Sequence, residues 1–190
     1  MITDLTTRVD ARLMEAWLAG HERRHIAAGH IGTHLDTYCQ TVIPLSYFRS
    51  GGVLVDVADV CEEREIDIDD MAPEAVRPGS FVLFRTARIE RHPYGNDEYF
   101  RDHPQLSFAL IDWLLERGIH FIGVDCCGIR RGEEHAAADA RCERAGVYVI
   151  ENLCNLHTLS ESEKPFTMYT MWHDDPAMTG LKCRVLAETE

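Results

Sequence analysis

Two imidazoles and a carboxylate, His30, His34 and Asp36, fall at i, i+4 and i+6 in the stretch Gly29-His30-Ile31-Gly32-Thr33-His34-Leu35-Asp36. Neutral imidazole nitrogen and ionised carboxylate oxygen are the donors that a borderline divalent ion such as Zn²⁺ or Mn²⁺ selects. Gly29 and Gly32 open backbone angles closed to other residues, which lets the segment curl and aim its side chains at one point. The same residues would also suit a polar loop with solvated histidines. The metal reading therefore needs partners from elsewhere, and the chain offers His135, Asp139 and Glu151 much later.

Glu151 sits in Ile150-Glu151-Asn152-Leu153, at the mouth of an apolar strand. An unpaired carboxylate is costly to bury there, and a metal ion or basic partner relieves the cost. His135 and Asp139 lie at i, i+4 on one predicted helix face, a spacing that can converge on one ion. Taken singly, each would also fit a solvated stripe in an acidic, alanine-rich segment.

The elements that must position these groups alternate between strand and helix. Residues 2–6 read as an opening strand, and Val9, Leu13, Ala16 and Trp17 as a helical stripe stopped by Gly20. His21, Arg23, Arg24 and His25 then read as a solvated helix end. Pro44 argues against a long helix after Asp36, and Tyr47-Phe48 suit either a pocket lining or a core cap. Residues 53–57 and 80–86 are apolar runs of strand length. Residues 88–103, with Pro93, Gly95 and Asn96, read as an extended surface loop. Pro104 is expected in the first turn of a helix with stripe Leu106, Leu110, Trp113 and Leu114, ended by Gly118. A strand over 119–124, a helix over 135–145 and a strand over 147–150 follow, with final strands over 166–172 and 183–186. This alternation argues an α/β fold. Asp125 and Glu151 stand just past strand ends, where α/β proteins habitually keep functional residues.

Composition narrows the function classes. The chain has 190 residues and a formal net charge of −13, enough for one substantial core and unsuited to a nucleic acid or an anionic membrane, which need a basic face. Seven cysteines in an odd, irregular set without CxxC do not read as a disulfide framework or zinc ribbon. Buried thiols in a reducing compartment are expected instead. No apolar run approaches the length of a membrane span, and Met1-Ile2-Thr3-Asp4-Leu5 has no secretory signal character. The expected location is cytoplasmic.

Together, His30-Ile31-Gly32-Thr33-His34-Leu35-Asp36 and Val149-Ile150-Glu151-Asn152-Leu153 resemble the two signatures of the cyclase-like metal-dependent hydrolases. That family includes bacterial kynurenine formamidase and isatin hydrolase. Ile2-Thr3-Asp4-Leu5-Thr6, Gly79-Ser80-Phe81-Val82-Leu83-Phe84-Arg85-Thr86 and the stretch from Gly118 to Asp125 match as well, so the resemblance runs along nearly the whole chain. It implies one α/β domain over residues 1–190, of the swivelling β/β/α type, with a mixed sheet and flanking helices. It also implies a homodimer or homotetramer, and one or two Zn²⁺ or Mn²⁺ ions held by His30, His34, Asp36 and Glu151.

Two departures stand out. The family's further ligand, a His twelve residues before the Glu, is here Asp139, with His135 one turn earlier; either can reach the site. The family's acid/base, a His four residues after the Asp, is here Gln40, and the usual proline of that segment is absent. Gln can hydrogen-bond but takes no proton at neutral pH. The reaction implied is hydrolysis of a small amide, cyclic imide or lactone by metal-activated water. The proton carriers on offer are His135, Glu151 and the water itself. The alternative is a relative that has kept the metal and lost catalysis, serving as a small-molecule-binding module.

Overall fold

Eight strands share one sheet in the order β1-β8-β2-β6-β5-β4-β3-β7, and a further pairing of β7 with β8 closes it. The computed structural model describes residues 1–160 and 165–189. In chain order the elements are β1 (Ile2–Asp4), α1 (Ala11–Ala19), α2 (Arg24–Gly29), β2 (His34–Asp36), β3 (Arg49–Asp56), β4 (Phe81–Arg85), α3 (Arg88–Arg91) and α4 (Asp97–Phe100). They continue with α5 (Phe108–Glu116), β5 (Phe121–Val124), α6 (Glu134–Arg144), β6 (Tyr148–Glu151), α7 (His157–Ser160), β7 (Phe166–Trp172) and β8 (Gly180–Thr189). The ring is thus seven-stranded, with β1 added to the far end of β8. Closure removes the free edges that an open sheet would present. The mixed α/β domain with flanking helices agrees with the expectation from sequence.

Period-two alternation sorts the side chains into two cores. Leu35, Phe81, Leu83, Phe121, Ile150 and Val185 point into the ring and pack together. Val82, Phe84, Ile122, Val124 and Val149 point outward and meet Leu110, Ile111 and Leu114 of α5 and Ala138 and Cys142 of α6. Burying one such Leu, Ile, Val or Phe contributes about 1.5–3 kcal/mol relative to exposure.

Several elements differ from the sequence reading. β3 begins at Arg49, before Gly51-Gly52, because its first half pairs with β7 and its second half with β4; tertiary pairing overrides the glycines. β2, only three residues long, was not legible as a strand, and it is ordered by ladders to β6 on one side and β8 on the other. α5 starts after Ser107, whose hydroxyl accepts from the Leu110 amide at 3.0 Å. Leu106 instead donates its N–H to the Ile129 carbonyl, so Pro104 lies outside the helix.

The segment 88–103 lies at the surface, as expected, but it is not an extended loop. It carries α3 and α4, Tyr99 is fully buried, and the buried Arg88 guanidinium donates to the carbonyls of Glu98, Tyr99 and Arg101. Its polar composition hid a folded cap, because one cation satisfies the carbonyls that burial would orphan. Asp125 is likewise absorbed by structure: its carboxylate accepts from Thr86 N, Thr86 Oγ1 and Ala87 N, fixing Ala87 at φ 58. All seven cysteines are free thiols. Among the described residues no helix is long and apolar enough to cross a membrane.

Candidate metal centre

The alternation that sends Leu35 into the ring sends His34 and Asp36 to its outer face. On that face β2 lies antiparallel to β6, and His34 is the register partner of Glu151. Helix α6 covers the same strands and contributes His135 and Asp139 at i, i+4. His30 follows α2 directly, at its C-cap, and its ring meets His34 edge-on with centroids 5.0 Å apart. The five expected metal ligands and His135, the expected proton carrier, therefore share one locality, assembled from two strands, one helix and one loop.

Ligand atoms of His30, His34 and Asp36 lie within 4.8 Å of one another, and so do those of Asp36, His135, Asp139 and Glu151. Asp36 belongs to both sets. His30 Nδ1 is 3.2 Å and His34 Nε2 3.5 Å from Asp36 Oδ1. His34 Nε2 is 3.6 Å from Glu151 Oε2, and His135 Nε2 is 3.3 Å from both Asp139 Oδ2 and Glu151 Oε1. The far nitrogens are engaged by the protein: His34 Nδ1 pairs with the Gly32 carbonyl at 2.9 Å and His30 Nε2 with Thr179 Oγ1 at 2.9 Å. Such partners fix ring orientation and leave the other nitrogen for a metal.

Glycine does two jobs here. Gly32 has φ 70, the left-handed turn that brings His34 back over the sheet. Gly29 instead serves by contact, since a Cβ there would lie 2.0 Å from the Gly180 carbonyl oxygen. Asn152 ties the two signature segments together: its Nδ2 donates to the Gly32 carbonyl, and its own carbonyl accepts from Thr33 Oγ1.

The electrostatics call for a cation. Asp36, Asp139 and Glu151 are each 1–3 % exposed. Both oxygens of Asp36 and Asp139, and Oε1 of Glu151, are buried without a hydrogen-bond partner among the described residues. Burial raises Asp139 and Glu151 well above the usual carboxylate range, and the charge of Asp36 pushes both further. Burial also opposes ionisation of Asp36, but the charge of His34 and the close approach of His30 prevail and hold it below that range. Burial lowers His135 from the ordinary imidazole value. Orphaned buried carboxylate oxygens facing oriented imidazoles are the donor set that a divalent ion fits.

Residues 3–130, more than half of the chain, match the family model described as "Cyclase: Putative cyclase". The chain belongs to the cyclase family. No curated protein matches this cyclase-family chain. Solved structures share its fold. Isatin hydrolase A from Labrenzia aggregata, bound to benzyl benzoate, aligns with 100% of this chain and 94% of its own at a TM-score of 0.78 and 20% identity. An isatin hydrolase bound to the product analogue thioisatinate aligns with 85% of this chain and 73% of its own, at a TM-score of 0.72 and 19% identity. A predicted metal-dependent hydrolase from Bacillus stearothermophilus gives a TM-score of 0.69 at 20% identity, covering 98% of this chain and 97% of its own.

One predicted site residue of this cyclase-family chain is not drawn into the cluster. Gln40 is exposed at φ 54, and its Nε2 donates to the Pro176 carbonyl at 2.9 Å. The turn from Thr37 to Gln40, closed by Gln40 N–H to the Thr37 carbonyl, carries that side chain to the surface. Tyr38 comes to the site instead. Its ring stacks on His30 at 6.0 Å, and burial, with the charges of Asp36, Asp139 and Glu151, raises its phenol far above the ordinary value. A cavity of about 330 Å³ opens beside the cluster, lined by Trp17, His21, Ile26, His30, Tyr38 and Thr179. The continuing alternation 34, 36, 38 was the sequence signal for Tyr38. Tyr94, whose hydroxyl accepts from Gly32 N at 2.6 Å, was hidden in the stretch read as a loop.

Proposed function

We propose that this chain is a metal-dependent hydrolase that opens a small amide, cyclic imide or lactone. The observation that carries the reading is the convergence of three buried carboxylates, lacking hydrogen-bond partners, with three imidazoles. Asp36, Asp139 and Glu151 balance one or two dications to within one charge when the imidazoles are neutral. His30, His34 and Asp36 would hold one ion, and Asp36, Asp139 and Glu151 a second. The family membership and the shared fold with isatin hydrolases support the same reading.

A bound divalent ion supplies Lewis acidity, acidifying water and polarising a carbonyl. The chain's own groups do the rest. Thr179 and the Gly32 carbonyl hold the His30 and His34 rings in place. His135, a quarter exposed at the edge of the cluster, takes a proton at Nε2 from the attacking water and returns it to the leaving nitrogen or oxygen. General acid–base help of this kind is worth about 10²–10⁴-fold. Trp17 and Ile26 line the approach and limit the water that competes for the carbonyl.

A competing reading, a small-molecule-binding relative without catalysis, draws support from Gln40, which is exposed and engaged with Pro176. Metal analysis of purified protein, paired with a hydrolysis screen that begins with isatin and extends to formanilides and lactones, separates the two. Bound metal with hydrolysis supports the enzyme. Bound metal without hydrolysis of any substrate supports the binding module, and no metal after reconstitution sinks both.

A further inference from the structure

Helix α6 presents three acidic or imidazole side chains along one face: His135, Asp139 and, one turn further, Glu143. Glu143 is 2 % exposed, yet it has no part in the cluster. Its Oε2 accepts from the Cys39 amide at 2.6 Å, while Oε1 accepts from the Thr41 amide and the Thr41 hydroxyl, both at 2.8 Å. Tyr148 extends the network, its hydroxyl lying 3.0 Å from Thr41 Oγ1. A single buried carboxylate thus clamps the two amides that flank Gln40. The Cys39 amide belongs to the peptide that leaves Tyr38, so the clamp sets the direction in which Tyr38 is carried. Tyr38 is the residue of this turn whose ring stacks on His30 and lines the cavity.

We propose that Glu143 is a positioning residue, and that the group it positions, the Tyr38 hydroxyl, is the hydrogen-bond donor facing an oxygen-bearing ligand held at the carboxylate–imidazole cluster. This rests on the metal-dependent reading above. A phenol is a neutral donor at ordinary pH. Aimed at the oxygen where charge gathers, it performs the task of an oxyanion-type donor without giving up its proton. Because α6 carries both Asp139 and Glu143, one element sets the cluster and the donor together.

The test uses Zn²⁺-loaded protein and acetohydroxamate, a small carbonyl-bearing metal ligand, with binding of both measured by calorimetry. Tyr38→Phe should weaken acetohydroxamate by about tenfold, the worth of one hydrogen bond, and leave Zn²⁺ affinity within about threefold. Glu143→Leu should weaken it to the same extent through Tyr38. The double variant should then be no weaker than either single one, a non-additivity that independent sites do not show. Glu143→Gln keeps an acceptor for the loop amides and should recover part of the loss, which guards against a variant that merely fails to fold. Acetohydroxamate binding unchanged in Tyr38→Phe, additive losses in the double variant, or a Zn²⁺-loaded parent that takes no acetohydroxamate each overturn the proposal alone. A parent that binds no Zn²⁺ overturns the hydrolase reading as well.

Discussion

His34 and Glu151 stand directly opposite each other across the β2–β6 ladder, with His34 Nε2 3.6 Å from Glu151 Oε2. Among the described residues neither has a charged partner outside the cluster. This register joins the two halves of the chain that carry the chemistry. It also makes β2, three residues long, the pivot of the site.

The ligand assignment predicts a graded loss of metal. His34→Ala and Glu151→Gln each remove a group from the centre of the cluster. Each should lower Zn²⁺ affinity by more than the roughly 10–100-fold that outer partners of a metal site command. Thr179→Val removes only the partner of His30 and should stay within that range. Calorimetric titration of the metal-free variants reads all three, and an unchanged His34→Ala would refute the assignment.

A pH dependence of stability follows from the carboxylates. Asp139 and Glu151 have raised values in the folded chain, chiefly by burial and then by the charge of Asp36. The folded state therefore keeps protons that the unfolded chain has released, and stability falls as pH rises above the ordinary carboxylate range. Asp125, raised by burial to about 6, acts in the same direction. Asp36 is lowered, so its contribution changes only under strongly acid conditions. The melting temperature of EDTA-treated protein should drop between pH 7 and pH 8, above the range in which His103, His120 and His135, each lowered by burial, act in the opposite direction. The increment restored by Zn²⁺ should grow over the same interval, because the ion binds the deprotonated ligands. Asp139→Asn should flatten the metal-free slope. A metal-free melting temperature that rises with pH would contradict this account.

Asp125 is predicted to matter for folding rather than for the metal. Asp125→Ala strands the Thr86 and Ala87 amides in a buried turn with a left-handed Ala87. Buried donors left unpaired cost about 1–3 kcal/mol each. With a melting shift of about 2–4 °C per kcal/mol for a chain of this size, differential scanning calorimetry should show a clear drop. Zn²⁺ affinity should be that of the parent.

Gln40→Ala provides the opposite control. Among the described residues its side chain hydrogen-bonds the Pro176 carbonyl at the surface, and exposed substitutions of this kind stay within about 0.5 kcal/mol. Metal affinity and melting temperature should both match the parent. A large loss of metal in Gln40→Ala would place that side chain in the cluster after all.

The sequence by itself determined the donor types and their local spacing. His30, His34, Asp36 and Glu151 were recognisable because two short signatures confine them, and His135 with Asp139 because i, i+4 is a property of a single helix. Strands β4, β5 and β6 and helix α6 were legible for a similar reason: apolar runs and glycine stops act over neighbouring residues. What only the tertiary structure decided was everything set by pairing at long range. β2 exists because β6 and β8 hold it on both sides, and β3 runs through Gly51-Gly52 because β7 pairs with its first half. The same holds for the residues around the site. Tyr38 rather than Gln40 faces the cluster because Glu143, from another element, grips the intervening turn by backbone amides. Backbone amides are common to every residue type, so the partner that claims them leaves no mark on the sequence of the turn itself.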